Sequence, residues 1–254
     1  NAGTYSGPWS CGLVVSVPHV RIVGGPGGVV VDCAGQGRRN LALQADNVSV
    51  TGISLVGGDP TQGENGGCLS IRGKDSTFSG PAVLRGCRSQ SYGGAVESRG
   101  SGALLQDVTI EDGYAMSGGG GMYVVFSDLT LRRVTVRRCA ASRHGGGSYM
   151  YWARMVAHDS LFEDNAAAAG RSGGFLLGVI GVHVEFYNTI FRRNLADKDG
   201  GAVYLWSDCS FKGHGLTFSS NSAGEHGGAI NMVSDVTFSL TASLLKNNTC
   251  LGCR

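Results

Sequence analysis

Short runs in which apolar and polar residues alternate recur along the chain, Leu129-Thr130-Leu131 and Val182-His183-Val184-Glu185-Phe186 among them. Alternation with a period of two predicts strands that bury one face. No stretch carries a helical period, and Ala166-Ala167-Ala168-Ala169 is too short to hold a helix alone. The strand-like runs are punctuated at a fixed interval. The second residues of glycine pairs fall at Gly67, Gly94, Gly121, Gly147, Gly174, Gly201 and Gly228, spaced by 27, 27, 26, 27, 27 and 27 residues. In phase with them stand Asn165, Asn194, Asn221 and Asn248, with Gly113 and Cys139 at the equivalent place in earlier repeats.

A 27-residue unit of two or three short strands predicts one coil of a single-stranded parallel β-helix. Coils stack at the inter-strand spacing of about 4.8 Å, and parallel crossovers are right-handed. The expected fold is therefore an all-β, right-handed parallel β-helix of about nine coils for 254 residues. Glycine is expected to supply the positive φ of the corner, and Asn to tolerate it while its amide bonds to the next coil. Residues 1–40 read as first coils and cap, 41–248 as regular coils and 249–254 as the C-terminal end of one β-helix domain, expected to be part of a longer chain. Neither a leucine-rich repeat nor a calcium-binding nonapeptide pattern is present.

The units Phe162-Glu-Asp-Asn165…Gly173-Gly174-Phe175, Phe191-Arg-Arg-Asn194…Gly200-Gly201-Ala202-Val203 and Phe218-Ser-Ser-Asn221…Gly227-Gly228-Ala229-Ile230 resemble the FxxN…GGA(I/V) repeats of chlamydial polymorphic membrane proteins. Similar repeats occur in surface proteins of bacteria and protists, within the pectin-lyase-like superfamily. The segment from Val31 to Ile53 resembles the opening coils of such proteins. The resemblance implies a surface-displayed adhesive or scaffolding β-helix. Gly113 and Cys139 depart from it by replacing the Asn.

Composition narrows the class. There are 43 glycines without an every-third-residue rule, which excludes collagen, and 42% apolar against 16% charged residues excludes a disordered chain. A net charge of +2 leaves no nucleic-acid footprint, and no apolar run reaches the roughly 18 residues of a membrane span. Eight cysteines with a single CxxC, Cys250–Cys253, and no histidine beside it speak against zinc and for an extracellular or cell-surface, oxidising setting. Cys11 is expected to pair with Cys33 and pin the first coils. Cys68 with Cys87 and Cys250 with Cys253 are further candidates, and Cys139 and Cys209 read as buried free thiols. Asn47 and Asn247 open N-x-S/T sequons and are candidate glycosylation sites. The chain begins at Asn1 with neither Met nor a signal peptide, as a processed chain or an excised piece would.

Many β-helices cleave polysaccharides, so a carbohydrate-active lyase or hydrolase is the alternative reading. Gly213-His214-Gly215 has no accompanying Asn-Thr-Asp or Asp-Asp pair. The acids of Glu111-Asp112, Glu163-Asp164 and Asp197-Lys198-Asp199 read as turn residues, as do His158-Asp159 and His226. His144 merely precedes a glycine corner without a G-x-S-x-G partner. No catalytic residue, metal ligand or cofactor is assigned.

The strand after each glycine pair is more informative. Counted from the second glycine, the second and fourth residues are mostly apolar and are expected to point inward, which sends the third and fifth outward. On this count Val124, Phe126, Met150, Trp152, Leu177, Val179, Tyr204 and Trp206 form one contiguous apolar and aromatic patch, with Trp152 and Trp206 in a single outward column. Such a patch marks an interface for a protein or glycan partner; the alternatives are that a neighbouring domain of the same chain or assembly covers it, or that a register slip places it inside.

Overall fold

The computed structural model describes residues 2–61, 63–169 and 173–253. Every strand pairing is parallel, and the chain winds into a β-solenoid of about nine coils with a period near 27 residues. Each regular coil contributes to three long faces and a short edge. The first face holds Leu41–Leu43, Leu69–Ile71, Val96–Ser98, Met122–Val125, Ser148–Tyr151 and Leu176–Ile180 in sequence. The second includes Asp128–Arg132, Arg154–His158 and His183–Tyr187, and the third Thr135–Arg137, Leu161–Glu163 and Ile190–Arg192. Two-residue strands from Arg88–Ser89 to Thr249–Cys250 close each coil in a separate seven-stranded sheet.

The interior is filled by columns of like residues, one per coil. Phe162, Phe191 and Phe218 of the FxxN units are paired in register on the third face and fully buried. Phe191 and Phe218 stack with centroids 4.6 Å apart. The asparagines behind them form a ladder. The left-handed φ expected of Asn165, Asn194, Asn221 and Asn248 falls instead on the residue before each, Asp164, Arg193, Ser220 and Asn247. Asn194 Nδ2 donates to Phe162 O and to Asn221 Oδ1, while Asn194 Oδ1 accepts from the backbone N–H and side chain of Asn165. Asn221 and Asn248 repeat the pattern. A buried amide that spans two coils satisfies backbone groups that water cannot reach. The ladder ends at Cys139, whose N–H donates to Asn165 Oδ1 and whose side chain lacks an amide to carry it further.

Two expectations about the glycine corner are corrected. The left-handed φ belongs to the first glycine of the pair, as at Gly200 (+63°), while Gly201 has no positive φ. Gly201 is required by proximity instead: a Cβ there would run into the carbonyl of Gly228 in the next coil. The same contact links Gly67, Gly94, Gly120, Gly146, Gly174 and Gly201 in succession, so the corner falls on Gly120 and Gly146. Gly121 and Gly147, read from sequence as corner residues, lie one step further on, level with Ala95, Phe175 and Ala202.

That one-residue difference inverts part of the first face. Strand pairing aligns Glu97, Tyr123, Tyr149, Leu177 and Tyr204 in one column and Ser98, Val124, Met150, Gly178 and Leu205 in the next. Val124 and Met150 are therefore fully buried core residues, and Tyr123 and Tyr149 point outward in their place. In a strand, a slip of one residue exchanges the two faces.

Candidate functional site

The corner between the first and second faces takes a left-handed residue in each of the later coils. Gly181 (φ +60°), Asp208 (+51°) and Asp235 (+51°) occupy it where small or short polar residues are expected. Two coils depart from this: Phe126 (φ +49°) and Trp152 (φ +46°) hold the same backbone with large aromatic side chains. A bulky residue in that region costs about 1–2 kcal/mol, and both rings remain exposed, at 64% and 47%. Burial therefore returns little for the strain. Tyr151 packs edge-on to both rings, with centroids 5.8 Å from Phe126 and 6.4 Å from Trp152. Trp152 is thus a corner residue, and Trp206 shares the preceding outward column with Tyr151 and Val179; the two tryptophans do not share a column.

The remaining patch residues are largely covered. Leu177, Val179 and Tyr204 face outward but are only 3%, 8% and 3% exposed, because they pack on one another and on Tyr149, Tyr151 and Ile180. Tyr92, from the turn before its coil's glycine corner, stacks on Tyr123 at 4.8 Å and approaches Tyr149 at 5.1 Å. The accessible surface consequently concentrates at Phe126, Trp152 and, 37% exposed, Trp206. Beside the first two lies a shallow groove of about 480 Å³ whose polar rim is Ser101, Asp128, Arg154 and His183. Ser101 Oγ donates to Asp128 Oδ2 at 2.6 Å, Arg154 pairs with Glu185, and His183 Nδ1 lies 2.8 Å from Ser210 Oγ.

Toward the N-terminal end the same outward column turns ionic. Glu97 is completely buried and accepts from Asn65 and Arg99 on one oxygen and from Ser70 and Arg72 on the other. Burial opposes its ionisation, yet the bonds from Arg99, Asn65 and Ser70 and the charge of Arg72 outweigh it and hold the carboxyl below its ordinary range. With every lone pair engaged, this acid is a tie between coils. It has no free electron pair for general-base work.

A second ionic feature escaped the sequence reading. Glu111-Asp112, Arg137-Arg138, Glu163-Asp164 and Arg192-Arg193 stack in register on the third face and its corner. Arg137 reaches Glu111, Arg138 both Glu111 and Asp112, and Arg193 both Glu163 and Asp164. Bonding to Arg193 lowers the Asp164 carboxyl, and bonding chiefly to Asp112 raises the Arg138 guanidinium. The detectable signal was the alternation of acidic and basic doublets at one phase of the repeat.

The other motifs find structural roles. Gly213 faces inward beside Phe186, His214 points outward and Gly215 turns the corner at φ +66°. Donor atoms of Asp199, Glu225 and His226 converge within 4.8 Å, but Lys198 Nζ already sits 3.3 Å from Glu225 and opposes a cation there. Disulfides join Cys11 to Cys33, Cys68 to Cys87 and Cys250 to Cys253, while Cys139 and Cys209 are buried thiols. Burial pushes the Cys139 thiol up to about 12. Asn47 and Asn247 are exposed at coil corners. Among the described residues no helix is long and apolar enough to cross a membrane.

The family model described as a right handed beta helix region matches residues 64–250. No curated protein and no solved structure matches the chain.

Proposed function

The chain belongs to the right-handed β-helix family, and we propose that it is an extracellular recognition module that binds a glycan at the corner formed by Phe126 and Trp152. The observation that carries this reading is the pair of exposed rings held in left-handed backbone where neighbouring coils use glycine or aspartate. Strain that folding does not require is retained at functional positions. A sugar offers one C–H face for an aromatic ring and a rim of hydroxyls. The groove beside the two rings supplies both partners, with Asp128, Arg154 and His183 next to the aromatic platform. A flat protein partner would instead favour a broad apolar face, and Leu177, Val179 and Tyr204 are already covered.

The FxxN units and the asparagine ladder support placing the chain with the surface-displayed repeat proteins it resembles. Three disulfides support an oxidising, extracellular setting, and the exposed Asn47 and Asn247 would be glycosylated there. The role proposed is adhesion or scaffolding, without a catalytic step. Glycan-array screening of the wild-type chain beside a Phe126→Ala, Trp152→Ala double variant tests the reading. Binding by the wild type and loss in a folded double variant is the expected result. An array without hits, together with a protein captured through Trp152, would replace the glycan by a protein partner.

A further inference from the structure

A half-enclosed pocket of about 520 Å³ opens near the N-terminal end of the first face, well apart from the aromatic corner. Its floor is Val14 and Ala42, which stand in register in adjacent coils and point outward. The segments around Gln36–Arg39 and Pro60–Thr61 rise beside that floor as walls. The volume lies within the range of small-molecule sites, which run from about 300 to 1,000 Å³.

Two arginines line the pocket, and their circumstances differ. Arg39 is consumed by the fold: it donates to Gly66 O at 2.8 Å and Asn65 O at 2.7 Å and pairs with Glu64 at 2.9 Å. Arg38 has neither an ion pair nor a side-chain hydrogen bond among the described residues, and its side chain extends past Gly12, where a Cβ would lie 3.5 Å from its Cδ. With Arg39 and Glu64 cancelling, the lining keeps a single positive charge, on Arg38. Thr61 and Gln44 add neutral hydrogen-bonding groups at the same opening.

This arrangement selects by charge and shape. A cation is repelled. A phosphate dianion lacks a second free cation and would face Glu64. A carboxylate matches the guanidinium fork with two parallel hydrogen bonds, and a short carbon frame behind it can rest on the apolar floor. We propose that the pocket binds a small organic monocarboxylate, with its carboxylate on Arg38 and its carbon frame on Val14 and Ala42.

The test uses the whole chain and ligand-observed NMR titration with hexanoate and benzoate, each beside its neutral methyl ester. The acids are expected to bind at least about tenfold more tightly than the esters, a difference within reach of one charge-assisted pair. Arg38→Gln should remove that preference, and Arg38→Lys, which keeps the charge but loses the fork, should weaken acid binding while retaining some of the preference. The Phe126→Ala, Trp152→Ala variant should bind the acids as the wild type does. Equal binding of acid and ester, acid binding unaltered in Arg38→Gln, or no binding of either acid would overturn the proposal. Because Arg38 is exposed and unpaired, the melting temperatures of its variants should match the wild type and keep the comparison interpretable.

Discussion

The indole of Trp152 lies across Gly181, the residue that occupies the same corner one coil further on. A Cβ at Gly181 would strike the six-membered ring, and the backbone there has φ +60°. Gly181 therefore does two jobs, turning the corner and leaving the space into which the ring settles.

Gly181→Ala should consequently act at a distance on the proposed glycan site. The left-handed backbone costs about 1–2 kcal/mol with alanine. That is a modest fall in melting temperature. The displaced ring should lower glycan affinity about as far as Trp152→Ala does. Calorimetric melting beside glycan titration checks both halves; unaltered binding in Gly181→Ala would show that ring position does not matter.

Asn194→Ala removes two donors and leaves the Asn165 amide and N–H without their buried acceptor. Each orphaned buried group costs about 1–3 kcal/mol, so a loss on the order of 2–4 kcal/mol is expected by urea denaturation. Gly201→Ala should be comparably harmful although Gly201 has ordinary φ, since its Cβ meets the Gly228 carbonyl. A neutral result there would contradict the close approach of the two coils.

Acid should loosen the N-terminal coils through Glu97. Its carboxyl is lowered in the folded chain, so its stabilising contribution is present above the unfolded value of about 4.3 and fades as pH falls through the folded value. Glu97→Gln should cost roughly 1.5–3 kcal/mol at neutral pH, from the lost charged hydrogen bonds. The difference from wild type should shrink in acid. Melting temperatures from pH 7 down to about 3 read this directly. A constant gap across that range would rule Glu97 out as the responsible group.

Arg137→Glu places a third acid between Glu111 and Glu163, which lie in the same column one coil on either side. Glu111 and Glu163 are buried and Arg137 is partly exposed, so a destabilisation of roughly 1.5–3 kcal/mol is expected, and added salt should reduce it in part. An effect of the same size in high salt would point to packing instead of charge.

Cys139 should resist iodoacetamide until the chain unfolds, because burial keeps its thiol protonated up to about 12. Removing the Cys11–Cys33 disulfide by a double serine change should cost about 3 kcal/mol in the loop-entropy account and fray the first coils before the rest. Peptide mapping of alkylated, non-reduced protein distinguishes the two sulfur classes.

The solenoid was legible in the amino-acid sequence because every coil sees the same surroundings. A residue such as Asn194 or Gly201 must meet its own kind one coil away, so the requirement is written again at each repeat. The face of each strand was not equally legible. Gly118–Gly121 and Gly145–Gly147 offer more glycines than the corner uses, and only the backbone contact from Gly94 to Gly120, and on to Gly146, decides which one turns. That choice puts Val124 and Met150 inside and Tyr123 and Tyr149 outside. Likewise, nothing local to Phe126 or Trp152 says that they stand at a corner, or that Glu97 draws its partners from Asn65, Ser70 and Arg72. Those relations join residues about one coil apart in sequence but a single strand spacing apart in space, and stacking alone creates them.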